Sequence, residues 1–430
     1  MTFSLYYGSP IPSRGIPESG LDCLANRLRL FLLAAIILAM PITQEFVLGG
    51  RRVNLAAADL VLPFGAAFVA WRFLHGGARL PVLPLFLLSM TSIVASVAAN
   101  YTDSLAAKGP AGVIIEAAKV LFLWMLFYSA VNLIESREDF LFALKTWILG
   151  SAIISGIGIF GSLSYQLTGI ENDFALQFRA QSTMGDSNLF GAYLSVSFFL
   201  TLLYRRLRGA SANWALPLIL IQFAGIFFSA SRGTMLTLAV SFVLFLAVST
   251  SSRTKIIALG AVMAVALLAS VIPNREALLQ SNPFTERLAT ATVDVNTDAA
   301  SDRKQLWDDA WTRYAAAPIF GIGRGNFRLI EQADPTKTGQ VHNTYLGILC
   351  ETGIAGLIVY MLFFTYFPVR LLMGHRPLPV SANLLLCALL SLSLSGITIC
   401  IENFRGLWLL LALLACYQRL RPGREGSGKV

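Results

Sequence analysis

Three histidines occur in the chain, and one of them lies in a segment suited to proton transfer. His342 is followed by Asn343, and Glu351 comes nine residues after His342. The topology deduced below places His75 and His375 in short cytoplasmic turns and His342 alone at the outer membrane surface. Histidine is the side chain whose ordinary pKa allows it to accept a proton near neutral pH. His342 is therefore a candidate general base that would activate a hydroxyl group.

Arginines near the same surface supply a second kind of chemistry. Arg232 stands at the head of an apolar segment and Arg179 lies in a moderate loop, both on the side where topology does not favour positive charge. Arg303 lies one turn before Trp307, on the same helix face. The planar guanidinium group matches two oxygens of a phosphate group. These arginines are candidates for binding an anionic lipid donor.

Each of these side chains also has a purely structural interpretation. His342 could cap a helix at the lipid interface, and Arg232 could extend its charge from a span to the interface. Arg303 could do the same while packing the outer loop against the membrane. Glu351 falls well inside an apolar span, where a carboxylate is expensive without a partner, so it would pair with an arginine or orient the site.

The composition is that of a membrane protein. The 430 residues are 56% hydrophobic and only 13% charged, and their mean hydropathy is +0.66. Soluble domains carry about 25% charged residues. The net charge of +9 comes from basic residues scattered between apolar segments, which argues against a nucleic-acid partner. The five cysteines contain no CxxC pair, so a disulfide framework or a zinc site is not expected.

Hydropathy predicts an all-α polytopic fold with about twelve transmembrane helices. The predicted spans cover 29–47, 55–74, 80–99, 111–133, 141–164, 188–204, 212–230, 233–249, 255–272, 346–368, 380–400 and 404–418. Short segments on one side hold 18 basic residues and those on the other side hold 6, so the first side is cytoplasmic.

The predicted organisation has five parts. They are a cytoplasmic N-terminal segment at 1–28, spans one to nine at 29–272, an outward-facing loop at 273–345, spans ten to twelve at 346–418, and a cytoplasmic tail at 419–430. An even number of spans puts both termini on the cytoplasmic side and the long loop on the outer side of the membrane.

The long loop is predicted to contain short helices that form a lid. A helix from Ser301 to about Ala317 would be stopped by Pro318. Its apolar stripe would lie on the membrane interface; the stripe consists of Leu306, Trp307, Ala310, Trp311 and Tyr314. The glycine-rich run that follows is expected to be a tight turn back to the membrane. Arg324 and Arg328 would add positive field there or, in the preferred interpretation, be solvated or touch lipid headgroups.

Several of these segments together resemble the O-antigen ligase and polymerase superfamily of bacterial polysaccharide assembly. Ligases of this kind carry Arg-x-x-x-Leu, matched by Arg232 to Leu236, and His-Asn followed after nine residues by Gly-x-x-Gly, matched by His342-Asn343 and Gly353-Ile354-Ala355-Gly356. The run from Arg303 to Phe327 and the segment Gly185-Asp186-Ser187-Asn188 are also similar to this superfamily. Twelve spans with one long loop before the tenth extend the resemblance over nearly the whole chain.

The resemblance is nearest to the ligase that joins O-antigen to lipid A–core. It implies a GT-C-like glycosyltransferase that takes O-antigen from undecaprenyl pyrophosphate and transfers it to a sugar hydroxyl of lipid A–core, with inversion and without a metal or other cofactor. His342 would be the base, Arg232 and Arg303 would bind the pyrophosphate with help from Arg179, and Asn343, Tyr345, Glu351 and Trp307 would support the site. Besides these two substrates, the partners would be membrane lipids, with no nucleic acid. The resemblance also implies a multi-pass protein of the bacterial inner membrane, with the loop at 273–345 and the active site facing the periplasm.

Two other functions remain open at this stage. A polymerase of the same superfamily would use the same residues but a growing glycan as acceptor; polymerases usually have two large outer loops, whereas this chain has one. A transporter of lipid-linked glycan would need internal repeats and broken helices, which the sequence does not show. The intramembrane charges Glu116 and Lys119 would form a structural ion pair or a contact where lipid enters.

Overall fold

The computed structural model describes residues 20–48, 51–249, 298–327, 340–374 and 378–420, and α-helices dominate it. The helices are α1 (Gly20–Ala39), α2 (Ala57–Leu74), α3 (Leu83–Ala99), α4 (Tyr101–Leu133), α5 (Arg137–Thr168), α6 (Ser187–Arg208), α7 (Leu216–Phe228), α8 (Arg232–Ser249), α9 (Asp298–Ala316), α10 (Thr344–Met373), α11 (Val380–Ser395) and α12 (Arg405–Arg419). Two small antiparallel sheets pair β1 (Thr43–Leu48) with β2 (Arg51–Ala56) and β3 (Ala175–Leu176) with β4 (Arg179–Ala180). Two 3-10 turns cover Ser182–Met184 and Gly209–Ala215.

Within the described ranges, five helical stretches are long and apolar enough to cross a membrane. They are Ala57–Leu74, Gly112–Leu133, Arg137–Thr168, Ser187–Phe228 and Thr344–Met373. Shorter apolar helices cover Leu83–Ala99, Arg232–Val248 and Val380–Ser395. The expectation of a helical membrane protein is therefore confirmed, whereas the count of twelve spans stays a prediction. The predicted ninth span, 255–272, lies outside the described residues.

The first predicted span, 29–47, is wrong in its second half. Helix α1 ends at Ala39, and β1 begins at Thr43. Pro41 intervenes, and a proline lacks the N–H that would continue the helix. The chain then forms the β1–β2 hairpin, in which Thr43 pairs with Ala56. The Thr183 hydroxyl donates to the Pro41 carbonyl at 2.8 Å, which anchors this turn to the segment before α6.

The helices pack around a continuous apolar core. Helix α11 packs against α6 and α8, α12 packs against α4, and α10 packs against α3. At the centre, the ring of Trp124 lies 4.3 Å from that of Phe363 and 5.3 Å from that of Trp408, measured between centroids. This core joins α4, α10 and α12, so the residues at the ends of those helices are held on a rigid support.

A second, smaller apolar cluster attaches α9 to α10. Leu306 and Ala310 of α9 are buried together with Phe327, Val341 and Cys350. Two of these residues, Val341 and Cys350, flank the start of α10, where His342 lies. Helix α9 is therefore fixed beside His342 by packing.

Candidate active site

His342 occupies an unusual backbone position immediately before α10. Its φ of 50° lies in the left-handed region, which is uncommon for a residue other than glycine. The helix cap is Asn343, whose side-chain oxygen accepts from the N–H groups of Tyr345 and Leu346, both at 3.1 Å. The capping interpretation of His342 is therefore wrong, because its neighbour performs that role. Strained backbone of this kind concentrates at functional sites.

The segment around His342 is anchored on both sides. The Trp307 indole N–H donates to the Val341 carbonyl at 3.0 Å. The Thr344 hydroxyl donates to the Ile399 carbonyl at 2.8 Å, and the Tyr345 hydroxyl donates to the Ser393 carbonyl at 2.8 Å. Helix α9 and the turn after α11 thus hold the start of α10, and Trp307 and Tyr345 supply two of those contacts.

The imidazole of His342 lies within electrostatic range of two charged side chains from other elements. Burial lowers the pKa of His342, and the nearby Arg303 guanidinium lowers the pKa further, whereas Asp186 acts in the opposite direction. Burial likewise lowers the pKa of Arg303, with Arg232 adding to this effect and Asp186 opposing it. Arg303 of α9 thus lies within electrostatic range of His342 just before α10, of Arg232 at the start of α8 and of Asp186 at the cap of α6.

Arg232 is the first residue of α8, and the turn before it is tightly built. Ala230 has a φ of 50°, again in the left-handed region. The Ser231 hydroxyl donates to the side-chain oxygen of Asn188 at 3.0 Å, and Ser229 donates to the Ile226 carbonyl at 2.7 Å. The position of Arg232 is therefore determined by α6 and α7 as well as by its own helix.

Arg179 reaches the same turn from β4. Its Nε donates to the Ser229 carbonyl at 3.3 Å, and its Nη2 donates to the side-chain oxygen of Asn188 at 3.0 Å. Asp186 caps α6 by accepting from the N–H groups of Asn188 at 2.7 Å and Leu189 at 3.0 Å. The structure places Arg179 next to the turn that precedes Arg232, where it is held by other polar groups.

A comparison with protein families bears on the same region. Residues 217–361 match the family model described as O-antigen ligase. This match supports membership of the O-antigen ligase superfamily. The matched stretch includes Arg232, Arg303 and His342. The family points to a glycosyltransferase-type enzyme and, in general, to lipid-linked glycan and lipid acceptor substrates. No curated protein matches the chain.

Glu351 belongs to a second charged group. It pairs with Arg324, whose Nη1 lies 3.2 Å from its Oε2. Arg324 also donates to Asn403 at 3.3 Å, and Glu402 lies 3.9 Å away. The expectation that Arg324 is solvated or touches headgroups is wrong, since it is only 7% exposed. Arg328 lies outside the described residues.

The charge balance explains why Arg324 is buried. Burial by itself lowers the pKa of Arg324, but Glu351, Glu402 and Glu116 together outweigh burial and raise the pKa. The Glu116 carboxylate also forms an ion pair with Lys119 at 2.6 Å, which is one of the two alternatives that the sequence left open for these residues. The position of Glu351 inside an apolar span predicted that it needs a cationic partner. Nothing in the sequence indicated that this partner is Arg324.

The glycine-rich segment before Arg324 docks on a break in α10. Gly353 has a φ of 67°, which interrupts the helix and exposes backbone groups. The N–H of Ile322 donates to the Cys350 carbonyl at 2.9 Å, and that of Gly323 donates to Glu351 at 3.1 Å. In return, Ile354 donates to the Pro318 carbonyl at 2.9 Å. A glycine-rich turn was predicted here, and its docking on a broken helix was not.

Helix α9 agrees with the predicted lid helix in extent, but its apolar face is divided. Leu306 and Ala310 pack against α10, so the prediction that they lie on the membrane interface is wrong. Trp311 on the same helix is 56% exposed. A stripe of apolar residues can be covered by protein as well as by lipid, and hydropathy alone does not separate the two cases. In the part of the chain that the structure describes, no three His, Cys, Asp or Glu side chains are grouped to hold a metal ion.

Proposed function

We propose that the chain transfers O-antigen glycan from undecaprenyl pyrophosphate to a sugar hydroxyl of lipid A–core at the periplasmic face of the inner membrane. The observation that carries this proposal is the position of Arg303, which lies within electrostatic range of both His342 and Arg232. A base and two fixed cations are what the reaction requires, because one partner loses a proton and the other leaves as an anion.

His342 is the general base in this proposal. The acceptor hydroxyl gives its proton to the imidazole while its oxygen forms a bond with the anomeric carbon of the glycan. Burial and Arg303 lower the pKa of His342, so the imidazole is neutral and able to accept a proton at neutral pH. Positioned base catalysis of this kind contributes about 10²–10⁴-fold to a rate.

Arg303 and Arg232 stabilise the leaving group. The bond between the anomeric carbon and the pyrophosphate oxygen breaks, and its electron pair stays on undecaprenyl pyrophosphate. Guanidinium groups bind phosphate oxygens in pairs, and partial burial strengthens that attraction. Attack from the face opposite the leaving group inverts the anomeric centre. Arg179 supports the turn before Arg232 and adds positive charge behind it.

The test is transfer by the purified chain in the presence of a chelator. The substrates are a polyprenyl-pyrophosphate-linked glycan and lipid A–core, separated by gel electrophoresis. We expect lipid A–core to acquire the glycan in EDTA, with no elongation of the lipid-linked glycan. Elongation without transfer to lipid A–core would identify a polymerase, and activity that disappears in EDTA and returns with Mg²⁺ would contradict stabilisation by arginine alone.

A further inference from the structure

Four arginines meet at the end of α4 that is remote from the candidate active site. This arginine cluster consists of Arg29, Arg72, Arg79 and Arg419, from α1, α2, the α2–α3 loop and α12. Arg419 donates to the carbonyls of Val131 at 3.2 Å and Ile134, Arg72 donates to Asn132 at 3.4 Å, and Arg29 donates to Leu133. The last carbonyls of a helix lack partners and carry partial negative charge, which accounts for part of this attraction.

The carboxylates at this end do not balance the four guanidinium groups. Asp139 pairs with Arg29 at 2.7 Å, and Glu135 pairs with Arg72. Four positive charges minus two negative charges leave an excess of two in the described part of the cluster. The helix terminus contributes only about half a negative charge. Among the described residues, positive charge therefore remains uncompensated at this end of α4.

Arg79 is one of the two arginines of the cluster, with Arg419, that form no ion pair with a described carboxylate. Its backbone is held by Asn132, which accepts from the Arg79 N–H and donates to the Arg79 carbonyl, both at 2.8 Å. Its Nη1 is buried and has no hydrogen-bond partner among the residues that the structure describes. Burial lowers the pKa of Arg79 to about 10, with Arg419 and Arg72 adding to this effect. An anion beside Arg79 would supply both the missing acceptor and the missing charge.

The surface beside the cluster indicates what kind of anion fits. Trp71, Phe73 and Leu74 at the end of α2 are 56%, 64% and 80% exposed. Apolar and aromatic side chains at such a position contact lipid acyl chains and the headgroup layer. A membrane lipid would cover these side chains while placing its phosphate at the arginines, which a soluble anion would not do.

We propose that the arginine cluster binds the phosphate of an anionic glycerophospholipid between α2, α4 and α12. Basic pockets between membrane helices bind anionic headgroups in this way. The proposal is independent of the catalytic proposal, since it concerns the opposite end of α4 and uses none of the same residues.

The experiment measures lipid-dependent stabilisation of the full chain in detergent. Delipidated protein is titrated with phosphatidylglycerol, with zwitterionic phosphatidylethanolamine and with inorganic phosphate, and the thermal unfolding midpoint is followed. We expect phosphatidylglycerol to stabilise the native chain more strongly than the other two. Arg79→Gln should weaken its binding by about tenfold, because a charge-assisted contact is lost.

Arg206→Gln is the matched control. Arg206 is exposed in the last turn of α6 at the same end of the bundle, so this variant removes one positive charge without touching the cluster. Arg79→Lys tests the site if Arg79→Gln does not fold, and it should bind less tightly than the native chain because lysine lacks the guanidinium fork. Equal losses in the Arg79 and Arg206 variants, or equal stabilisation by inorganic phosphate, would overturn the proposal.

Discussion

Burial is the largest cause of the lowered pKa of His342, and two opposite charges adjust that pKa further. Arg303 lowers its pKa and Asp186 raises it, so removing each charge should have opposite effects. Asp186→Asn should lower the pKa and move the acid limb of kcat/KM to lower pH, and asparagine would still cap α6. Arg303→Gln should raise the pKa and move the same limb to higher pH. Rate profiles from pH 4 to 8 would measure both shifts.

A His75 variant is the control for these rate profiles. His75 is exposed in the α2–α3 connection, and its Nδ1 lies 2.8 Å from the Trp71 carbonyl. Replacing His75 by Ala should leave the acid limb where it is. If the Asp186 and Arg303 variants shift the limb in the same direction, the titrating group is not His342.

Some residues of the candidate site can be predicted from the sequence and others cannot. His342 with Asn343 and Arg232 lie in short motifs, so their neighbourhood in sequence carries the signal. Arg324 was misjudged because its partners come from distant segments; Glu351 is 27 residues away and Asn403 is 79 residues away. Residue spacing on one helix predicts local pairs such as Glu116 and Lys119, whereas a buried cation held by several elements depends on the tertiary fold.

At the scale of elements, the break in α10 connects the glycine-rich segment to the helix that begins beside His342. Gly353→Ala should destabilise the protein by roughly 1–3 kcal/mol, because its φ is unfavourable for alanine. The new Cβ would also lie 2.2 Å from the Ile319 carbonyl oxygen. Gly156→Ala in α5 is the control, since nothing lies within 4 Å of its Cβ position. Thermal unfolding of both variants gives the comparison; equal stability would mean that the break is not required.

The ion pair between Arg324 and Glu351 also holds the glycine-rich segment against α10. Arg324→Gln should destabilise the fold by roughly 3–5 kcal/mol, because it leaves buried carboxylates without their cation. The double variant Arg324→Gln with Glu351→Gln should recover part of this loss, since one of those carboxylates becomes neutral. Unfolding free energies of the single and double variants measure the coupling. An additive result would show that the two side chains do not interact.

Hydropathy predicts the apolar helices more accurately than the β1–β2 hairpin, and the reason is physical. The predicted segments at 55–74, 80–99 and 233–249 coincide closely with α2, α3 and α8, because hydropathy records long apolar stretches directly. The β1–β2 hairpin was missed because it continues an apolar stretch, and a hydropathy window does not distinguish a short strand from the end of a helix.

At the scale of the molecule, α4 separates two charged regions. Its apolar part, Gly112–Leu133, contains 22 residues. At 1.5 Å per residue this part is roughly 33 Å long, close to the thickness of a bilayer's apolar core. The candidate active site and the arginine cluster are therefore expected on opposite membrane faces. The predicted periplasmic position of the site follows from the excess of basic residues on the other side.

Labelling from one side of the membrane tests this orientation. Gln340, two residues before His342, and Ser211, between α6 and α7, are both exposed. In a chain whose native cysteines are replaced, a cysteine at position 340 should react with an impermeant thiol reagent added outside spheroplasts. A cysteine at position 211 should react only after the cells are broken. The reverse pattern would place the candidate site in the cytoplasm.

The transfer rate of His342→Ala tests the central claim most directly. It should be measured on purified chain with lipid-linked glycan and lipid A–core, beside His75→Ala. We expect His342→Ala to be slower by about 10²–10⁴-fold while remaining folded, because the base is removed and the arginines are retained. His75→Ala should transfer glycan at the native rate. A folded His342→Ala chain with native activity would contradict the account.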